Sequence, residues 1–303
     1  MNIQIQPLQE QIDNWIENHV PEKDLFFLKE QDLNTFENYL QGTLVMSRDE
    51  LRHSSYNQIQ WVNSYTTWNI SKDFQFVIIA QPDWILTLAL QEREVLFRIQ
   101  YEAGRGLVFP LSYFSRQAAL PKEYIINVND EQVIVIQKDM WMKLPTFYQE
   151  EAIQAYAQGY DDWTSTEIPA NIPAHLRKYA NTFSTTAGAN CLAAVLYAVS
   201  MNPERQEWII NEWIFQNTFI EGLKYAGYSP TDKEFEKGDV VAWVNEDGVI
   251  QHATYCMGNQ LFFNKNGQTF FNPWKIVTWD ELQEEWKRFT PCVYQKSRSD
   301  LNG

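Results

Sequence analysis

The second half of the chain sets one apolar helical run ahead of a closely spaced series of strand-like runs, and this order strongly constrains its fold. The helical run begins at Cys191 and continues to Met201. The strand-like runs are Asp239–Val244, His252–Met257, Gln260–Lys265 and Cys292–Gln295, with two shorter pieces at Gly267–Asn272 and Lys275–Thr278. Short runs rich in β-branched and aromatic residues, separated by turns, pair readily as antiparallel neighbours. The pattern therefore predicts an α+β fold in which helices pack on an antiparallel sheet.

Two further helices are predicted in this half, from Arg205 to about Tyr225 and from Asp280 to Phe289. The first half opens with helical spacing at 7–19 and 30–41 and becomes strand-like between Tyr56 and Lys143. Its strand-like runs are residues 74–80, 84–90, 95–101 and 132–137. We therefore predict a β-rich N-terminal domain with leading helices over residues 1–165, followed by a second domain over residues 166–303.

Cys191 occupies a position that suits a nucleophile. The small residues of 184–189 precede Asn190, a good N-cap residue, so the thiol is predicted to lie in the first turn of a buried helix. Free N–H groups and the positive end of the helix dipole stabilise a thiolate there. We therefore expect Cys191 to be the most reactive of the three cysteines, with a lowered pKa.

His252 opens a predicted strand and is the candidate base for this thiol. Asn264, twelve positions later, is the candidate that orients the imidazole by accepting its Nδ1–H. A three-residue loop at Met257–Asn259 would place Asn264 across from His252, whereas a two-residue Gly258–Asn259 turn would place Lys265 there. An ammonium group can only donate a hydrogen bond, so the chemistry favours Asn264.

The order of these motifs resembles that of a known family. A cysteine at a helix N-terminus, then Gly238-Asp239-Val-Val, then His252-Ala-Thr-Tyr-Cys-Met-Gly258 resembles the NlpC-type branch of the papain-like cysteine peptidases over residues 180–295. The resemblance implies a papain-like domain, helix first and antiparallel sheet after, preceded here by the β-rich domain. It also implies a Cys191-His252-Asn264 triad that hydrolyses a peptide-like amide without metal or organic cofactor.

Other functions are compatible with the same residues. The papain-like domain could be a non-catalytic binding module, or the cysteine could transfer an acyl group to an acceptor other than water. Redox sensing would need a resolving thiol, for which Cys256 is the candidate. Cys256 and His252 share a strand face, but no further ligand spacing indicates zinc. Paired carboxylates near Tyr160 do not have a spacing that selects a glycosidase.

Composition bounds the partners. A net charge of −15 argues against nucleic acid and anionic membranes, which bind basic surfaces. The N-terminus has no secretion signal and no run approaches a membrane span, so a reduced, cytoplasmic protein is expected. Twelve tryptophans and 15 tyrosines form core and surface packing or a stacking platform for peptides or sugars. The sequence leaves the oligomeric state open.

The expected substrate is a short peptide or small amide. Asp161, Asp162 and Trp163 lie in a loop-like stretch ahead of the nucleophile and are the candidate substrate-binding residues. A carboxylate there would hold a free N-terminal amine through charge-assisted hydrogen bonds.

Overall fold

The computed structural model describes residues 1–51 and 69–297, which form an α+β fold with several antiparallel sheets. The helices are α1 (Gln9–His19), α2 (Glu30–Phe36), α3 (Arg48–Leu51), α4 (Leu90–Ala103), α5 (Lys138–Lys143), α6 (Thr146–Gln158), α7 (Ala174–Arg177), α8 (Cys191–Ala198), α9 (Pro203–Gln206), α10 (Gln216–Tyr225) and α11 (Trp279–Glu285). The strands are β1 (Asn2–Gln4), β2 (Asp24–Leu28), β3 (Leu44–Ser47), β4 (Phe76–Ala80), β5 (Val108–Pro110), β6 (Ile125–Val128), β7 (Glu131–Val135), β8 (Thr164–Thr166), β9 (Thr182–Phe183), β10 (Tyr228–Thr231), β11 (Val240–Val244), β12 (Ile250–Gly258), β13 (Leu261–Lys265), β14 (Pro273–Thr278) and β15 (Thr290–Lys296).

The chain divides into two compact units. One unit is Ile12–Tyr156, and the other combines Met1–Gln11 with the chain from Ala157 onward. This division differs from the predicted boundary after residue 165. The reason is that β1 pairs with β8, which ties the first residues of the chain to the unit that follows Ala157.

The first unit contains more helix than the sequence predicts. It holds two three-stranded antiparallel sheets, β2-β4-β3 and β5-β7-β6. The predicted runs at 74–80 and 132–137 correspond to β4 and β7, whereas those at 84–90 and 95–101 are not strands. Residues Trp84–Thr87 form a 3-10 helix, and 95–101 lie within α4. The part of the strand-like stretch at 56–68, like His53, lies outside the described residues.

Helix α4 forms because its buried positions follow a helical repeat that the β-branched and aromatic residues hide. Leu96, Gln100 and Ala103 are buried three to four positions apart, as one helix face requires. The amide of Gln100 accepts from the Phe27 N–H at 2.8 Å and donates to the Phe27 C=O at 3.0 Å. The buried glutamine thus anchors α4 on β2, a polar contact that strand propensity does not reveal.

The second unit is built on a seven-stranded antiparallel sheet in the order β10-β15-β11-β12-β13-β14-β9. Five of the strand-like runs predicted in this half are strands of this sheet, whereas the predicted short piece at Gly267–Asn272 is wrong, because those residues form turns between β13 and β14. The predicted helix from Arg205 to Tyr225 is wrong, because α9 passes directly into a 3-10 helix at Glu207–Asn211, and extended backbone at Glu212 and Phe215 then separates it from α10. The interruption has a cause: Asn190 Nδ2 donates to the Ile214 C=O at 2.8 Å, a carbonyl that a continuous helix would use internally.

The two faces of this sheet carry different helices. Helix α8 packs on the face that presents Val240, Ala242 and Ala253. Other residues of α8 belong with Phe263 to a second buried cluster. The opposite face buries the cluster Val241, Trp243, Cys256, Phe262, Val277 and Leu282, against which Phe235, Trp279, Trp286 and Phe289 pack. Residues 1–51 and 69–297 contain no helix with the length and apolar character that crossing a membrane requires.

Candidate active site

Cys191 is the first residue of α8, as the sequence predicts. Asn190 has extended backbone and is the N-cap, with its Oδ1 accepting from the Ala193 N–H at 3.0 Å. The preceding loop is held by Gly188, whose N–H donates to the Gln268 C=O at 2.7 Å. Gly188 has a φ of +111°, a conformation that glycine adopts without strain. The N-cap and the Gly188–Gln268 hydrogen bond together fix the position of the thiol.

The thiol of Cys191 faces the edge of β12. The Cys256 N–H donates to Asp239 and its C=O accepts from Gly238, so these groups point toward β11. Because backbone groups alternate along a strand, the Ala253 N–H points to the other side, toward β13. The β12–β13 ladder runs only from Tyr255 to Gly258, so Ala253 lies beyond it, and its N–H interacts with the Cys191 thiol. The thiol therefore lies where the two strands separate.

His252 is held rigidly on the neighbouring position of β12. Its side chain is 1% exposed, and its ring stacks on Trp286 with centroids 4.2 Å apart and planes 2° apart. The centroid of the Trp243 ring, on β11, lies 5.7 Å from that of the His252 ring. The Nε2 of His252 and the Oδ1 of Asn264 are 2.7 Å apart. The predicted pairing with Asn264 is present, but through Nε2 rather than Nδ1, so Nδ1 is the ring nitrogen that does not contact Asn264.

The register that produces this pairing differs from both predicted turns. Gly258 pairs with Leu261, and the turn residues Asn259 and Gln260 both have positive φ, 54° and 59°. A bulge between Cys256 and Gly258 precedes this turn. Continuing the ladder from Cys256 and Phe262 places Asn264 diagonal to His252 on the same face, not directly opposite. The prediction of a direct cross-strand neighbour is therefore wrong, although diagonal side chains still meet.

Cys191 and the His252 ring lie on different sides of β12. The His252 ring lies on the sheet face that carries α11, whereas Ala253 points toward the face that carries α8. The thiol reaches the strand at its edge, beside the backbone that joins these two residues. Within residues 1–51 and 69–297 no hydrogen bond links the sulfur to the His252 ring. The structure thus does not pair the thiol with the imidazole.

Burial holds both groups in their neutral forms. It raises the pKa of the Cys191 thiol, and the N–H groups of Ala253, Leu192 and Cys191 itself oppose this only in part. It also lowers the pKa of His252 to about 4, against the opposing effect of the bond to Asn264. The expected lowered pKa of Cys191 is therefore wrong, because desolvation outweighs the helix N-terminus. The resting pair is a thiol and a neutral imidazole.

Lys265 is a charged neighbour of the thiol that the sequence reasoning considered only as a rival to Asn264. Its side chain is fully buried, and its Nζ donates to the Thr269 C=O at 3.1 Å and the Asn272 C=O at 2.5 Å. Burial lowers the pKa of Lys265 to about 7. Its positive charge lowers the pKa of Cys191. Strand alternation could have indicated this position, because it places the Lys265 side chain on the opposite face of β13 from Asn264.

The predicted substrate-binding residues have structural partners. Asp161 is buried and forms an ion pair with Lys275 at 2.8 Å, and its Oδ1 also accepts from the Trp163 N–H. Trp163 is buried, and its indole N–H donates to the Phe271 C=O at 3.0 Å. Only Asp162 keeps an exposed carboxylate, which accepts from the Thr164 N–H. The structure therefore gives two of the three residues a role in packing the unit.

An exposed pair of aromatic rings lies beside the Cys191 loop. Trp213 and Phe215 stack with centroids 6.4 Å apart, and Phe215 is 70% exposed. A Cβ built on Gly188 would lie 3.9 Å from the Trp213 Cβ, so the loop and this ring are neighbours. Asn190 ties the same segment to the helix cap through Ile214. We call Trp213 and Phe215 the aromatic shelf.

Cys256, the candidate resolving thiol, is buried in the cluster on the α11 face. Cys191 packs instead against the cluster that contains Ala253 and α8. The sheet lies between the two sulfurs, which does not suit direct disulfide formation. No group of three or more His, Cys, Asp or Glu side chains in the described chain is arranged to hold a metal ion.

Comparison with known proteins adds no relative to this geometry. No family model, curated protein or solved structure matches the chain. The chemistry of the site therefore depends on Cys191, His252 and Asn264 and on the residues that hold them.

Proposed function

We propose that the protein is a cysteine-dependent hydrolase that cleaves a short peptide-like amide with Cys191, His252 and Asn264 on a papain-like domain. The observation that carries this proposal is the 2.7 Å contact between His252 Nε2 and Asn264 Oδ1 beside a helix N-terminal cysteine. Asparagine oxygen can only accept, so Nε2 carries the ring proton and Nδ1 carries the lone pair. A base of this form suits proton removal from a thiol.

In the first half-reaction, His252 Nδ1 accepts the thiol proton as the Cys191 sulfur bonds to the amide carbonyl carbon. The carbonyl electron pair moves to oxygen, where N–H groups at the start of α8 stabilise the charge. The intermediate then expels the amine, which takes the proton from Nδ1. The product is a thioester on Cys191.

In the second half-reaction, His252 Nδ1 removes a proton from water while the water oxygen attacks the thioester. The C–S bond breaks, the carboxylic acid leaves, and the proton returns to the sulfur. An acceptor other than water, such as an amine, would complete the same cycle as acyl transfer. Hydrolysis and transfer therefore share one nucleophile and one base.

The aromatic shelf supports a substrate with an apolar or aromatic group near the scissile amide. Aromatic faces bury large areas at small entropic cost. A preference for a free N-terminal amine would depend on Asp162, whose carboxylate is exposed although it lies 3.7 Å from Lys275, since the buried Asp161 carboxylate is paired with Lys275 at 2.8 Å. Short peptides thus remain the proposed substrate class.

The test is a panel of short peptide amides, with free and acetylated N-termini, incubated with the full chain. Amine release should be present in the wild type and absent in Cys191→Ala. Cys292→Ala, a matched control at a partly buried cysteine, should keep wild-type turnover. No Cys191-dependent product with any substrate would contradict the hydrolase and favour a binding module. Product that forms only with an added amine would instead identify an acyltransferase.

A further inference from the structure

The hydrogen bonds behind Asn264 continue beyond it to the surface. Asn264 Nδ2 donates to the Asn266 Oδ1 at 2.8 Å, and Asn266 Nδ2 donates to the Glu285 Oε1 at 2.8 Å. Together with the contact to His252, this forms one unbranched chain of four side chains. Neither Asn266 nor Glu285 belongs to the proposed triad.

The donor and the acceptor of each hydrogen bond in this chain are fixed by Glu285, the residue at its surface end. Burial raises the pKa of Glu285, while the hydrogen bond from Asn266 and the charge of Lys275 favour its ionised form. In that form the carboxylate accepts and cannot donate, so Glu285 requires the amide nitrogen of Asn266. Asn266 must then present its oxygen to Asn264, and Asn264 must present its own oxygen to His252. The ring nitrogen facing Asn264 therefore has to carry the proton.

The alternative orientation would disable the base. If the Asn264 amide turned over, its nitrogen would donate to the ring, and the ring proton would move to Nδ1. Nδ1 would then have no lone pair for the Cys191 proton. The side chain that prevents this is Asn266, since it supplies the acceptor for the Asn264 amide nitrogen.

Helix α11 brings the parts of this arrangement together. Glu285 is its last residue and Trp286 is its C-cap, so one helix end supplies both the carboxylate and the ring stacked on His252. The stacking fixes the plane of the imidazole, while the hydrogen bonds select its tautomer. Without the second contribution the ring would be correctly placed but not uniquely protonated.

We propose that Asn266, oriented by Glu285, is a positioning residue that holds His252 in the Nε2–H tautomer. Its catalytic consequence rests on the proposed function, but the tautomer itself is measurable without any substrate. ¹⁵N NMR distinguishes protonated from unprotonated ring nitrogens, and the chain has only four histidines. A His252→Gln sample assigns the signals.

In the wild type at pH 7, Nε2 of His252 should be protonated and Nδ1 unprotonated. Asn266→Leu removes the acceptor and should produce a measurable Nδ1–H population. Asn266→Asp combined with Glu285→Gln keeps an acceptor oxygen for Asn264 without placing two carboxylates together, and should preserve the wild-type tautomer. Glu285→Leu should shift the tautomer in the same direction as Asn266→Leu. Glu284→Leu, the same change one residue earlier at an exposed position paired with Lys287, should leave it unchanged.

The activity readout is separate. Asn266→Leu should lower kcat by about tenfold or more with KM unchanged, because a base with the wrong tautomer affects only the chemical step. An unchanged His252 tautomer in a folded Asn266→Leu protein would overturn the proposal whatever its activity. A shifted tautomer in a protein whose wild type has no turnover would uphold the positioning role and contradict the proposed hydrolase instead.

Discussion

At the scale of single residues, the site is defined by a thiol and an imidazole that are both neutral at rest. Burial raises the pKa of Cys191 and lowers that of His252 to about 4. In the proposed mechanism, reactivity therefore depends on proton transfer to His252 during attack and not on a standing thiolate. We expect such a neutral pair to have low reactivity until a carbonyl is bound beside it.

The pH dependence of turnover tests this directly. Only neutral His252 can accept the thiol proton, so kcat/KM should fall on acidification with an apparent pKa near 4, below the ordinary histidine value of 6.5. The measurement is the pH–rate profile for the best substrate of the panel. An acidic limb near pH 6.5 would contradict the neutral pair, because it would mean that His252 titrates like an exposed imidazole.

Local signals made part of the site predictable. The Asn190 cap follows from its position next to the nucleophile, and the choice of Asn264 over Lys265 follows from side-chain chemistry on the strand after the base. The Nε2 contact depends on a bulge and a turn at Asn259–Gln260, which period-two alternation alone does not specify. The stacking of Trp286 on His252 requires α11 to fold back on the sheet, a tertiary event with no local signature.

At the scale of secondary structure, Asn190 has two separable roles. Its oxygen caps α8, while its nitrogen donates to Ile214 and holds the segment that carries the aromatic shelf. Asn190→Asp retains the cap acceptor but cannot donate, whereas Asn190→Ala loses both. Each substitution therefore reports on a different element.

The expected outcomes differ accordingly. Asn190→Ala should lower the free energy of unfolding by about 1 kcal/mol, the usual contribution of an N-cap. Asn190→Asp should keep most of that stability and mainly raise KM for substrates with a large apolar group, because the shelf is no longer tethered. Denaturant unfolding and steady-state kinetics measure the two effects. Equal stability loss and equal kinetics in both variants would contradict the division of roles.

Strands were more predictable than helices in this chain. The central runs of the seven-stranded sheet, in β11, β12, β13 and β14, are short, bounded by turns and mostly buried, so their composition identifies them. Helix α4 was hidden because its β-branched and aromatic residues resemble a strand over seven positions. The break before α10 depends on the Asn190 amide, which lies far away in the sequence.

At the scale of the whole molecule, two buried histidines link stability to pH. Burial lowers the pKa of His19 to about 3 and that of His252 to about 4. In the unfolded chain both would bind protons near pH 6.5, while in the folded chain they stay neutral. As pH falls from 6.5 to 4, the unfolded state therefore gains protons and the folded state loses stability.

The size of the effect is measurable. A lowering from 6.5 to about 4 corresponds to roughly 3 kcal/mol for His252 at pH 4, at 1.36 kcal/mol for each pH unit. Urea unfolding of the wild type between pH 7 and 4 should show this loss. His252→Gln should show a shallower pH slope, whatever its stability at pH 7. An equal slope in the variant would contradict a buried neutral His252.

The division of the chain was the least predictable feature. Pairing of β1 with β8 places the first residues in the second unit, and a three-residue strand has no composition strong enough to indicate such a distant partner. The predicted antiparallel character of the sheet, in contrast, follows from closely spaced runs. Long-range closure thus sets the domain boundary, and local pattern sets the elements.

Trapping the acyl-enzyme is the sharpest test of whether Cys191 is a nucleophile served by His252. An activated acyl ester is mixed with the protein and quenched in acid, and peptide mapping by mass spectrometry follows acylation over time. The account predicts one acyl group on Cys191, formed at least about 100-fold more slowly in His252→Gln and at the wild-type rate in Cys292→Ala. Acylation on Cys256 or Cys292, or an unchanged rate at Cys191 in His252→Gln, would contradict it.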